Sequence, residues 1–159
     1  MYKYISRKNF FFIIAIISIF TLVSAVFIEY VLGIKPCKLC LYQRYPYILS
    51  IFFCFFGYSQ YNKNFWLYLL SFTFLLSLIL SIYHVGIENY IFPEFSGCSA
   101  DNLNIIDKQI LLNSLNNFIP NCKDVTYRIL GLSLATINVL ISGLILIISL
   151  IIIKNEKNR

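Results

Sequence analysis

The chain has 159 residues, of which 59% are hydrophobic and 13% carry charge, and its formal net charge is +6. A soluble domain of this length could not cover so much apolar surface with so few charged side chains. The composition therefore excludes an ordinary soluble enzyme and predicts an integral membrane protein, with membrane lipid as a partner and no nucleic acid.

Three long stretches contain no charged residue, and each is close to the roughly 20 residues that a helix needs to cross roughly 30 Å of hydrocarbon. They are Phe10 to Ile28, Phe65 to Tyr83 and Ile129 to Ile153. A fourth stretch, from Leu41 to Tyr58, is apolar after its first residues. Pro46 lies within its first turns, where it can either reset the start of a helix or kink it. The sequence therefore predicts four spans.

The first stretch has a second interpretation as a signal peptide. Basic residues precede it, and Val23-Ser24-Ala25 resembles a cleavage site. The uncharged run continues to Ile28 and is longer than most signal-peptide cores, so a retained helix is favoured. Both interpretations place Cys37 on the same side of the membrane.

The connections between the spans are unequal, with a short outer loop at 32–40 and a long one at 85–128. Short connections make neighbouring helices antiparallel. We therefore expect residues 1–159 to form a single all-α domain, a transmembrane four-helix bundle with up-down-up-down topology and spans at about 10–31, 41–58, 65–84 and 129–153. The long outer loop is predicted to carry a short interfacial helix from Asp101 to about Leu115.

The basic residues predict the orientation. With four spans, seven of them share one face of the membrane: Lys3, Arg7, Lys8, Lys63, Lys154, Lys157 and Arg159. The basic residues of the opposite face are balanced by acidic ones. The positive-inside rule then places both termini in the cytoplasm. Four of the five cysteines face outward, where disulfides can persist.

Two cysteines three residues apart, Cys37 and Cys40, stand between the first two spans. As a structural disulfide they would add roughly 2 kcal/mol in the chain-entropy model, against roughly 3.5 kcal/mol for the longer loop from Cys98 to Cys122. As a zinc site they lack partners, because structural zinc takes four ligands and the chain has one histidine. A dithiol whose sulfurs stay adjacent can open and close with little backbone movement. Redox exchange is therefore favoured over metal binding and over a structural bond.

Arg44 follows Cys40 by four residues. If the second helix begins near Cys40, the two side chains share a face and the guanidinium lies close to the sulfur. An arginine at the rim of a span can also simply extend to water. Beside a dithiol it can stabilise a thiolate, or bind a cofactor's carbonyl oxygen whose charge grows on reduction.

Cys98 and Cys122 form a second outer pair with two interpretations. They can be a structural disulfide that closes the long loop, or a relay that takes electrons from a partner and passes them to Cys37 and Cys40 by thiol-disulfide exchange. Two outer pairs favour the relay. His84, at the outer end of the third span, can satisfy the interface or donate a hydrogen bond to a polar head group.

The segment from Pro36 to Tyr47, PCKLCLYQRYPY, resembles the signature of the disulfide bond formation protein B (DsbB) family, the membrane quinone reductases that reoxidise periplasmic thiol oxidases. Later segments resemble further blocks of one branch of that family: YHVGIE at 83–88, GCS at 97–99, NC at 121–122, and LGLSLA at 130–135 with Asn138. Some members have an acidic residue before the arginine, where this chain has Gln43.

The resemblance implies a function and a site. The enzyme would reoxidise a periplasmic DsbA-like thiol oxidase and pass the electrons to a quinone, either ubiquinone or menaquinone. Cys98 would take the attack of the partner's thiol, Cys122 would pass it to Cys37, and Cys40 would lie beside the quinone. Arg44 would bind the quinone oxygen, with His84 near it. The resemblance also implies a bacterial inner membrane, with the active cysteines in the periplasm.

Two other functions remain open from the sequence. A vitamin K epoxide reductase-like bundle has related chemistry, but its redox pair sits late in the bundle, whereas Cys37 and Cys40 lie between spans one and two. A metal-binding membrane protein without turnover would bind zinc or copper in proportion to protein.

Overall fold

Four long helices make up most of the part of the chain that the structure describes. The structure is a computed structural model that describes residues 7–60, 63–93, 122–123, 127–129 and 131–157. The long helices are α1 (Arg7–Tyr30), α3 (Arg44–Ser59), α4 (Asn64–Glu88) and α5 (Leu134–Lys157), and a one-turn helix α2 (Lys38–Tyr42) precedes α3. The α2–α3 segment and the other three helices are each long and apolar enough to cross a membrane. The predicted transmembrane four-helix bundle is confirmed.

Side-chain contacts give the direction of each helix. From α4 to α5, Ser81 contacts Asn138, Ser77 contacts Ser142 and Ser71 contacts Ser149. Numbers fall along α4 as they rise along α5, so these helices are antiparallel. The same reversal relates α3 to α4, where Tyr47 packs on Phe74 and Phe56 on Trp66. Between α1 and α3, Phe11 lies against Gly57 and Ser18 bonds to Ser50, so this pair is antiparallel too.

Many large apolar side chains of the helices face outward, while Phe11, Leu70 and Phe74 pack in a buried core together with small polar residues. Phe20 and Phe55 are 71% and 73% exposed, whereas Ser18, Ser50 and Ser77 are fully buried. This is the reverse of a soluble bundle. It suits a bilayer, where lipid solvates the apolar surface and small residues let helix backbones approach closely.

The second span is broken near its outer end. Gln43 separates α2 from α3, although its own backbone angles, φ −68° and ψ −14°, stay in the helical region. Pro46 is the third residue of α3, where its missing N–H costs no intrahelical hydrogen bond. Pro46 therefore belongs to a new helix start and does not kink a continuous helix.

A small hairpin precedes α5. Strand β1 (Arg128–Ile129) pairs antiparallel with β2 (Leu132–Ser133), and Gly131 makes the turn at φ +83°. The Ser133 hydroxyl then accepts a hydrogen bond from the Thr136 backbone N–H and caps the helix. α5 thus begins at Leu134, after the predicted start at 129. The predicted interfacial helix in the outer loop lies outside the described residues.

Candidate functional site

The predicted dithiol lies at the end of the bundle where α2 begins. Cys37 is the N-cap of α2, and its sulfur accepts the backbone N–H of Cys40 at 3.3 Å. The two sulfurs are 3.1 Å apart in hydrogen-bond contact, and both thiols are free. A disulfide bond is about 2.05 Å long, so the two sulfurs need little movement to close one.

His84 contacts the dithiol from α4. Its Nε2 lies 3.6 Å from the Cys37 sulfur, and its Nδ1 lies 3.1 Å from the side-chain nitrogen of Gln43. Glu88, one turn further along α4, brings a carboxylate oxygen to 3.8 Å from Nε2. His84 and Gln43 are 2% and 8% exposed. Both ring nitrogens of His84 thus have a partner, Nε2 at the Cys37 sulfur and Nδ1 at the Gln43 amide.

Cys122 reaches the same point from the far end of the outer loop. Its sulfur, the Cys37 sulfur and a ring nitrogen of His84 all lie within 4.8 Å of one another. Cys122 is held in a disulfide, whereas Cys37, Cys40 and Cys54 are free. The fold therefore brings a disulfide sulfur and a free thiol together in a buried cluster with Leu39.

The surroundings lower the pKa of the Cys37 thiol well below the usual cysteine value. The largest cause is the hydrogen bond from Cys40, whose thiol can donate to a Cys37 thiolate. Burial opposes the charge, while the hydrogen bond and charge of His84 and the backbone N–H of Cys40 favour it. A lowered pKa favours the thiolate at Cys37, which is the nucleophilic form of the group.

Arg44 forms an ion pair across the bundle. Its Nη1 donates to Oε2 of Glu29 in α1 at 2.7 Å, and the two side chains are 22% and 26% exposed. Cys40 lies in α2 and Arg44 begins α3, so the two residues belong to separately bounded helical segments. Arg44 and Cys40 nevertheless line the same cavity.

That cavity has a volume of about 500 Å³ and lies between α1, α3, α4 and α5. Its polar end is formed by Cys37, Cys40, Gln43, Arg44, His84 and Glu88. Its remaining wall is mostly apolar and includes Ile16, Phe20 and Ile141. Ligand sites are commonly 300 to 1,000 Å³, apolar, with a few converging polar groups. The cavity has the size and the mixed lining of a site for a mostly apolar ligand with a polar group at one end.

Comparison with known sequences identifies the family. The family model described as "Disulfide bond formation protein DsbB" matches residues 7–152, nearly the whole chain. The chain belongs to the DsbB family. DsbB proteins carry out disulfide bond formation, so the chemistry of the site is thiol-disulfide oxidoreduction in a multi-pass membrane protein.

The chain also matches a relative over most of the length of both proteins. The chain is 32% identical over 151 residues to the uncharacterized protein RP370 of Rickettsia prowazekii (strain Madrid E), covering 90% of this chain and 86% of the relative. The DsbB match, with its redox pair between spans one and two, argues against the vitamin K epoxide reductase-like alternative.

The metal-binding alternative is also disfavoured, by the bonding of Cys122. Cys37, His84 and Cys122 place their sulfur and nitrogen atoms at metal-ligand spacing. A sulfur held in a disulfide is not a thiolate, and the thiolate is the metal ligand.

The structure gathers five of the six predicted DsbB site residues around one cavity end: Cys37, Cys40, Arg44, His84 and Cys122. Cys98 lies outside the described residues. His84 was predicted to lie beside a cofactor. The structure also places it against Cys37, a contact that was not predicted.

Three further residues of the site were not predicted: Glu29, Gln43 and Glu88. Glu29 is the sole acidic residue near the outer end of the first span, which is a signal for a partner of Arg44. Glu88 follows His84 by four residues, the spacing of neighbours on a helix face.

Proposed function

We propose that this DsbB-family protein reoxidises a periplasmic DsbA-like thiol oxidase and passes its electrons through Cys98 and Cys122, then Cys37 and Cys40, to a membrane quinone. The observation that carries the proposal is the approach of Cys122 to within 4.8 Å of the Cys37 sulfur. In thiol-disulfide exchange, the sulfur of the attacking thiolate must reach a sulfur of the disulfide. A purely structural disulfide in the loop has no need of this position.

The relay steps balance as ordinary exchange. The partner's thiolate attacks Cys98, breaks its bond to Cys122 and leaves Cys122 as a thiolate. When Cys37 and Cys40 are in their disulfide form, Cys122 then attacks the Cys37 sulfur and Cys40 leaves as a thiolate. The partner's second thiolate then attacks the mixed disulfide and releases Cys98, and Cys98 attacks Cys122 and releases Cys37. Each step forms one S–S bond and breaks one, so the partner leaves as a disulfide and two electrons rest on Cys37 and Cys40.

The cavity beside Cys40 supports a quinone as the acceptor. A quinone supplies an acceptor for two electrons and two protons that dissolves in the bilayer. The Arg44 guanidinium can donate to a carbonyl oxygen, and its planar donors suit an oxygen whose negative charge grows on reduction. The apolar wall contributed by α1 suits a ring and its hydrocarbon tail. Whether ubiquinone or menaquinone is used depends on contacts at this wall.

We place the site on the periplasmic face of a bacterial inner membrane, with both termini in the cytoplasm. The described end of α5 carries Lys154, while Cys37 and Glu88 lie at the opposite end of the bundle. Basic residues concentrate at cytoplasmic loops and tails. A periplasmic location suits a disulfide at Cys122, because disulfides persist there.

Replacing Cys40 tests the proposal. The Cys40→Ser protein keeps a hydroxyl in place of the sulfur, so it cannot close the inner disulfide. Reduced DsbA and a short-chain ubiquinone, with a menaquinone analogue in parallel, serve as substrates in detergent. Absorbance of the quinone and the thiol content of DsbA report turnover. We expect the rate to fall by at least about a thousandfold, as for loss of a nucleophile.

Cys54 supplies the matched control. It is a buried free thiol within α3, away from the cavity-lining residues. Cys54→Ala should turn over at close to the unmodified rate. Turnover by Cys40→Ser at the rate of the control would sink the scheme.

A further inference from the structure

The imidazole of His84 is oriented at a sulfur rather than left free to turn toward the cavity. The Cys37 sulfur lies 3.6 Å from Nε2, and the Gln43 amide lies 3.1 Å from Nδ1. Both side chains are almost fully buried. The partner at one ring nitrogen fixes what the other nitrogen can do, so Gln43 determines how His84 meets Cys37.

We propose that His84, oriented by Gln43, stabilises the thiolate of Cys37 and so makes the Cys37–Cys40 disulfide a stronger oxidant. This inference rests on the proposed relay. It adds a reason why electrons flow toward Cys37 and Cys40, namely the greater oxidising strength of their disulfide. His84 touches a reacting atom. Gln43 acts through His84 and is a positioning residue.

Reduction of the inner disulfide shows why the cation matters. Two electrons from a donor dithiol break the Cys37–Cys40 bond, and the donor becomes a disulfide and releases two protons. Cys40 takes one proton as a thiol. The second rests on His84, which donates it in a hydrogen bond to the Cys37 thiolate. Whatever stabilises the reduced form shifts the equilibrium toward it, which is how a disulfide becomes more oxidising.

Cys40 alone cannot supply this effect. The 3.1 Å contact between the sulfurs shares one proton within the pair and decides which sulfur carries a charge. Keeping a charge in a buried site requires a group of opposite sign, because burial penalises an isolated ion. Among the described residues, His84 is a neighbour in contact with the Cys37 sulfur that can provide it.

Gln43 suits both forms of the ring. An amide offers a nitrogen donor on one side and an oxygen acceptor on the other. It can donate to a bare Nδ1 and, when turned over, accept from a protonated one. A glutamate in its place would accept only, and a leucine would do neither.

The remaining titratable and charged groups near His84 come from several elements. Among the described residues they include Cys40 on α2, Glu88 on α4, Cys122 at the end of the loop, and, lining the same cavity, Lys35, Tyr127 and Arg44, whose ion-pair partner is Glu29. The Cys40 and Cys122 sulfurs lie close to Cys37 itself. The comparison of variants therefore holds all of these groups constant and changes one side chain at a time.

The test uses the full chain with its quinone extracted and with Cys54→Ala, Cys98→Ser and Cys122→Ser, so that the inner pair is the redox couple under study. The protein is equilibrated in dithiothreitol buffers, and the thiols are trapped by alkylation and counted by mass. We expect His84→Gln to lower the equilibrium constant for reduction about tenfold, which is about 30 mV for two electrons. Alkylation of Cys37 by iodoacetamide at about pH 6 should slow by about tenfold, because an ordinary thiol is protonated there.

The Gln43 variants provide the second arm. Gln43→Leu should shift the potential and the alkylation profile in the same direction by about threefold, and Gln43→Glu should restore both. Asn89→Ala removes an exposed polar group at the same end of α4 and should change neither. A His84→Gln potential equal to that of the Asn89 control overturns the inference. If His84→Gln does not fold, equal potentials for Gln43→Leu and Gln43→Glu overturn it.

These measurements need neither quinone nor partner, so they separate the two proposals. Loss of DsbA oxidation in the unmodified protein with the potential shift intact would count against the relay alone. A working relay with no potential shift would count against the role of His84.

Discussion

The structure gives Arg44 a partner that was not predicted from the sequence. Its guanidinium lies in an ion pair with Glu29, from α1, at the edge of the cavity. Both side chains are partly exposed, so solvent screens the pair and its net stabilisation is modest. The carboxylate has a second effect, because it fixes the direction of the guanidinium. A fixed donor loses less freedom when a ligand binds.

Removing the guanidinium should weaken acceptor binding. Arg44→Leu is expected to raise the KM for a short-chain ubiquinone about tenfold, because one charge-assisted hydrogen bond is lost. Glu29→Gln keeps the guanidinium and should raise KM about twofold. Lys38→Gln, a basic residue at the same end of the bundle, is the control. Steady-state rates with DsbA as the donor measure these values, and an unchanged KM in Arg44→Leu would contradict a binding role.

The α4–α5 pair is held by a series of polar contacts. Asn138 accepts hydrogen bonds from Tyr47 and Ser142 and donates to Ser81 at 2.6 Å. Deeper in the bundle, Ser77 bonds to Ser142. Hydrogen bonds between membrane helices contribute about 0.6 kcal/mol each on average. Asn138 joins α3, α4 and α5, so its three contacts fix the arrangement of the helices around the cavity.

Asn138→Leu should therefore destabilise the bundle by about 1–2 kcal/mol, since it removes three bonds and leaves buried hydroxyls without their partner. Leu140→Ala is the matched control on the same helix, because Leu140 faces outward and is 54% exposed. Unfolding in a series of detergent–denaturant mixtures, followed by circular dichroism, measures the difference. An Asn138→Leu midpoint equal to that of Leu140→Ala would show that these contacts do not stabilise the bundle.

At the scale of the whole molecule, the two ends of the bundle differ in charge and chemistry. The thiols, His84 and Glu88 lie at one end. At the other end, Arg7 of α1 donates to Asn64 at the start of α4. The proposed orientation places the first end in the periplasm and the second in the cytoplasm.

Labelling of single cysteines, added to a chain whose own five cysteines are replaced by serine or alanine, tests that orientation. In intact cells, a membrane-impermeant maleimide should modify Asn89→Cys, and Gln60→Cys should react only after the inner membrane is opened, because a charged reagent does not cross hydrocarbon. Both positions are exposed at helix ends. The reverse pattern would invert the topology and exclude a periplasmic site.

The sequence predicted the spans because a bilayer demands about 20 apolar residues in a row, a signal contained in one segment. The start of α5 was predicted too early, at Ile129, because the uncharged run begins there. The polarity of residues 129–134 does not mark the turn at Gly131. The break at Gln43 was missed for a related reason. Pro46 predicts an irregular helix. Whether it kinks a continuous helix or lies in the first turn of a new one depends on where the helix begins, which the sequence does not show.

The site was predictable where its residues are neighbours along the chain. Cys37 and Cys40 form a motif, and a motif can be read directly. The contacts that give the site its electrostatics join residues far apart: 41 positions from Gln43 to His84 and 15 from Glu29 to Arg44. Such pairs depend on how helices pack against each other, and a single sequence records that packing only indirectly.

The wall that α1 gives to the cavity has two faces. Ile16 and Phe20 line the cavity, yet 51% and 71% of their surface remains exposed where lipid tails would lie. A hydrophobic molecule can therefore enter sideways from between lipid tails and need never pass through water. Its supply is then governed by lateral diffusion in two dimensions, and the relevant concentration is the number of molecules per lipid. Under the proposed function, changes in membrane composition would alter the rate of disulfide formation even if the amounts of the enzyme and of its proposed partner stayed constant.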